Sequence, residues 1–168
     1  MPPLDLHDKL SVELLKQLGV RPDYTLIGLI SELIDAKGEE KGELLGEVRR
    51  LADESRLYEC EVEWIEIFNH DVEIVKYKGG KARVWRYVFN CLFGEPYGLL
   101  VDLHVLLDLA DRFYCDERML EYCYEEIGLD ERVWSFYKAR KCEIQLKLGC
   151  LEGAGESKCG KAMVAREP

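Results

Sequence analysis

Apolar residues recur every three to four positions over the first third of the chain. Leu6, Leu10, Leu14 and Leu18 follow at helical spacing, which predicts a helix over residues 5–18 that Gly19 stops. Asp23 can cap a second helix, where Leu26, Ile30, Leu33 and Ile34 share a stripe and Gly38 marks the end. A third helix is expected over residues 39–56. Leu44, Leu45, Val48, Leu51 and Ala52 form its apolar side, and Arg49–Asp53 and Arg50–Glu54 can pair at i,i+4 on the other.

The period then changes to two. Tyr58, Cys60, Val62 and Trp64 alternate with Glu59, Glu61 and Glu63, the pattern of a half-buried strand. The phase slips at Trp64–Ile65, where a bulge fits. After a turn at Asn69-His70-Asp71, residues 72–78 and 82–89 are expected to form two more strands joined by Gly79-Gly80.

Helical spacing returns after Pro96, which suits a first helical position. Residues 99–113 are apolar almost all round, as in a buried helix. Asp116 can cap a helix with Met119, Leu120, Cys123 and Ile127 on one side and Gly128 after it. Asp130 can cap another with Val133, Trp134 and Tyr137 inside. Residues 142–148 alternate as a strand does, though they are also good helix formers. The small, polar residues 152–168 read as a flexible tail.

These elements predict an α+β fold: an N-terminal three-helix unit, an antiparallel β-ribbon, then a C-terminal helical segment. One globular domain is expected over residues 1–151, with helices and ribbon over 1–95 and a helical half over 96–151. Three helices followed by a ribbon over residues 4–89 resemble the layout of a winged helix. The resemblance implies a third helix in the DNA major groove and a ribbon on the backbone. Here that helix carries Glu39, Glu40, Glu43, Glu47, Asp53 and Glu54, which would face phosphates. A second resemblance spans residues 84–127. Val-Trp-Arg-Tyr-Val-Phe, Gly-Glu-Pro-Tyr, Leu-Leu-Asp-Leu-Ala-Asp-Arg-Phe and Leu-Glu-Tyr-Cys look like the second half of a BTB-type interaction domain. The usual first half of that family is not evident upstream.

Charge redirects the search for a contact surface. The net charge is −10, which disfavours general nucleic-acid binding, since phosphate binding is driven by Lys and Arg. The exception is local. Lys76, Lys78, Lys81, Arg83 and Arg86 lie in a stretch from Ile74 to Gly94 that has no acidic residue, interleaved with Tyr77, Trp85, Tyr87 and Phe89. Basic groups with aromatics can hold single strands or a groove edge. The same charges could instead pair with Glu59, Glu61 and Glu63 across the sheet.

One Thr, two Asn and two Gln accompany seven Cys. Few amides and many charges suit a heat-adapted protein, and hyperthermophiles are the exception to the scarcity of intracellular disulfides. An intramolecular disulfide is therefore expected, with Cys150 and Cys159 the best local pair across a Gly-rich loop. Short Cys knuckles of structural zinc are absent. His104, Asp108 and Asp111 share a helical face that could hold a metal or serve acid–base chemistry, or form the wet edge of a buried helix with Asp108 pairing Arg112. No phosphate loop or nucleophile elbow occurs.

The sequence thus predicts a non-catalytic, cytoplasmic regulatory or adaptor module without cofactor, contacting a protein or nucleic acid through the basic ribbon. A protein partner or homo-oligomer is expected, nucleic acid is an option, and no membrane association is expected. One alternative is a structural interaction protein using its acidic helical half. Another is a metal-dependent enzyme centred near His104.

Overall fold

The structure is a computed structural model that describes residues 4–35, 38–51, 86 and 89–150. Helix α1 spans Leu4–Gln17, α2 Tyr24–Asp35, α3 Gly38–Leu51, α4 Leu99–Arg112, α5 Glu117–Ile127, α6 Glu131–Ala139 and α7 Lys141–Leu148. Residues 89–93 are also helical.

The helix boundaries follow local chemistry. Gly19, at φ +77°, takes the left-handed turn that ends α1. Asp23 Oδ1 accepts from the Leu26 amide at 3.1 Å and starts α2. Asp116 accepts from the Arg118 and Met119 amides, and Asp130 from Arg132. Gly128 and Gly149 close α5 and α7 in the left-handed conformation. Gly38, expected to end α2, instead opens α3. Pro96 lies in the turn before α4, where the Leu99 amide donates to its carbonyl at 2.9 Å.

The expected α+β class is overturned, because the described residues hold helices and no strand. Arg86 and Phe89, assigned to the third strand, are helical. Most of the expected β-ribbon, residues 58–85 and 87–88, lies outside the described residues, as does 152–168. Residues 142–148 are helical too. Their alternation carried no weight, because only Ile144 of α7 is buried and no strand among the described residues lies alongside.

Helix α4 is the centre of the core. Every residue from Leu99 to Ala110 is buried, and α1, α2, α5 and α6 all pack on it. Leu10, Leu14 and Leu15 of α1 and Ile27, Ile30 and Leu33 of α2 are closed off from solvent. Burying each such side chain is worth about 1.5–3 kcal/mol. Entry to α4 depends on Gly98. Its amide donates to Asn90 Oδ1 at 2.7 Å. A Cβ there would collide with the Arg86 carbonyl oxygen and the Asn90 amide, so the site admits only glycine without rearrangement.

Covalent and ionic ties join distant helices. A Cys115–Cys150 disulfide, Cα to Cα 6.0 Å, links the exit of α4 to the end of α7. Cys150 therefore pairs with Cys115 and not with Cys159, which lies outside the described residues. Cys91 and Cys142 are also disulfide-bonded, whereas Cys123 is in no disulfide. Lys9 of α1 reaches Glu143 of α7 at 2.7 Å, and Arg140 reaches Glu13 at 3.2 Å.

Candidate functional site

A cluster of three ionisable side chains lies where α1 crosses α4. The Leu6–Leu10–Leu14 stripe turns one face of α1 inward, and His7 comes in with it. On α4, His104 and Asp108 stand one turn apart on the side that α1 covers. His7 is 1% exposed, His104 3% and Asp108 9%. The two imidazole rings are 3.8 Å apart between centroids and tilted by 55°. His7 Nε2 lies 3.4 Å from Asp108 Oδ1, and His104 Nε2 lies 3.3 Å from Asp108 Oδ2. The carboxylate thus faces both rings with one oxygen each.

The sequence placed Asp111 with His104 and Asp108 and set His7 aside. The structure exchanges them. Asp111, half-buried, is not one of the residues whose donor atoms converge here, and His7 is. Asp108 faces the two rings and not Arg112, whose guanidinium sits over the Phe113 ring. The missed signal was a histidine on the apolar face of α1, in phase with Leu10 and Leu14.

A second buried polar group sits further back on α4. Asp102, fully buried, accepts from Arg86 Nη1 at 2.6 Å and from the Asp130 amide at 2.8 Å. Arg86 also donates to the Gly128 carbonyl at 3.2 Å. Burial pushes the Asp102 carboxyl up to about 6, and the Arg86 charge pulls against that rise. Arg86, one of the five basic residues expected to contact a partner, is thus turned toward the α5–α6 junction. Lys76, Lys78, Lys81 and Arg83 lie outside the described residues.

The outer surface of the helical half has a different character. Tyr114 is 84% exposed, Tyr122 50% and Met119 39%. Met119 and Tyr122 stand one turn apart on α5, and Tyr114 lies in the turn that leads into it. Of the residues grouped on one side of α5, Leu120 and Ile127 are buried and Met119 is exposed. Asp116, Glu117, Glu121, Glu125 and Glu126 are exposed along the same helix and its cap, with Arg118 the one exposed basic residue.

Among the described residues no helix is long and apolar enough to cross a membrane. No family model, curated protein or solved structure matches this chain.

Proposed function

We propose that this chain is a non-catalytic interaction module that binds a protein partner, or another copy of itself, through the acidic helical half. The observation that carries the reading is the exposed Tyr114, Met119 and Tyr122 set among the carboxylates of α5. Tyrosine and methionine are enriched where proteins meet, and a polar rim around such anchors excludes water from them. The rim here is acidic, so the matching surface is basic with apolar centres. The metal-dependent enzyme centred near His104 is disfavoured by burial, because His7, His104 and Asp108 present little surface to a substrate. The disulfide fits an oxidising compartment or the interior of a heat-adapted cell.

Sedimentation equilibrium tests self-association, and affinity capture with quantitation tests other partners, each with two variants. Tyr114→Ser/Tyr122→Ser should lose the association while Lys78→Glu/Lys81→Glu keeps it. The opposite pattern, with nucleic-acid binding whose affinity falls steeply with salt, would move the function to the basic segment.

A further inference from the structure

We infer that His7, His104 and Asp108 form a binding site for one divalent transition-metal ion of the zinc class, which fastens α1 to α4. The inference is independent of the interaction reading and rests on the geometry of the cluster.

The spacing of the donor atoms is the first argument. A tetrahedral ion with bonds of about 2.0–2.1 Å holds its ligand atoms about 3.3 Å from one another. The two imidazole-to-carboxylate separations are 3.4 and 3.3 Å. A charge-assisted hydrogen bond between the same groups would draw them to about 2.7–2.9 Å. One donor atom from each of the three residues lies within 4.8 Å of the other two. Each imidazole nitrogen is thus at ligand-to-ligand spacing from a different oxygen of one carboxylate, and one donor atom from each residue is gathered within 4.8 Å of the others.

The chemistry of the set is the second. Two imidazole nitrogens with one carboxylate suit Zn²⁺ and its neighbours Co²⁺, Ni²⁺ and Fe²⁺. Mg²⁺ and Ca²⁺ prefer six or more oxygens, which this cluster cannot supply. Two rings at 3.8 Å would repel each other if both were protonated, whereas neutral imidazoles can direct both lone pairs at one cation. The Asp108 charge offsets half of a divalent charge inside the core.

Placement is the third. His104 and Asp108 are one turn apart on the most buried helix, a rigid two-ligand platform. His7 arrives from α1, far earlier in the chain. An ion would thus tie the first helix to the centre of the core, with the fourth position left to water.

The test uses the full chain, treated with chelator and kept oxidised, with Zn²⁺, Co²⁺ and Mg²⁺ as probes. One equivalent of Co²⁺ should bind with the visible absorption of a tetrahedral ion and without the near-ultraviolet thiolate-to-metal band. Zn²⁺ should raise Tm, and Mg²⁺ should not. His7→Gln and His104→Gln should each lose the Co²⁺ spectrum and the Zn²⁺-dependent rise. If a variant fails to fold, the wild-type spectrum still decides, since a thiolate band places the ion on cysteines. Absence of Co²⁺ uptake by the wild type, a thiolate band, or unchanged uptake by folded variants would each overturn the assignment.

Discussion

Single atoms set some of the stability of this molecule. The Tyr137 hydroxyl is buried and has no hydrogen-bond partner among the described residues. Such a group has given up water with nothing in return, at a cost of about 1–3 kcal/mol. Tyr137→Phe should therefore melt at the same temperature as the wild type or higher, by about 1 kcal/mol in stability. Burial also pushes the Tyr137 hydroxyl up to about 12 from its ordinary value of 10.0, so the folded state resists its ionisation. In the unfolded chain the group ionises from about pH 10. The folded state then holds more protons, and stability falls as pH rises between about 10 and 12. The phenylalanine variant should lose less stability over that window, as denaturant titrations at several alkaline pH values would show. The opposite ordering would mean that the hydroxyl has a partner.

At the scale of elements, α4 should be the least tolerant of change. Leu106 is fully buried at its middle, so Leu106→Ala should cost about 2–5 kcal/mol. An unchanged melting temperature would place that side chain at a surface. The Cys115–Cys150 bond closes a loop with a sequence separation of 35, worth about 3–4 kcal/mol in the chain-entropy picture. Alkylation under denaturing, non-reducing conditions should label Cys123 and spare Cys91, Cys115, Cys142 and Cys150, and labelling of Cys115 and Cys150 would contradict the pairing. Helices α1, α2 and α4–α6 were legible in the sequence because leucine spacing and Asp caps are local signals. Residues 142–148 stayed open between strand and helix, because alternation marks a strand only where a neighbouring strand and a covered face give it meaning. The Cys150 partner and the arrival of His7 beside His104 were not legible, since each depends on how helices distant in sequence are packed. Two of the three cluster residues, His104 with Asp108, were legible because an i,i+4 relation is fixed by the helix itself.

For the whole molecule, the ionic ties between α1 and the last described helices carry little energy each, since exposed pairs are worth about 0.2–1 kcal/mol. Their spacing along the chain matters more. Lys9 and Glu143 are separated by 134 positions, and Glu13 and Arg140 by 127. A ribosome adding ~5–20 residues per second makes the two halves of the Lys9–Glu143 contact roughly 7–27 s apart. Until α4 is made, α1 can lean on α2, but the surface it shows to α4, with His7 and Leu10 in it, is open to water, to chaperones and to other nascent chains. Nascent chains arrested before α4 should be cleaved by trypsin at Lys9 and Lys16, and chains released at full length should resist at Lys9, next to the buried face. Equal cleavage of both would show that α1 does not wait for α4. Helix α1 is thus made well before the helix that secures it, and the yield of this protein in a cell should depend on how α1 is sheltered during synthesis.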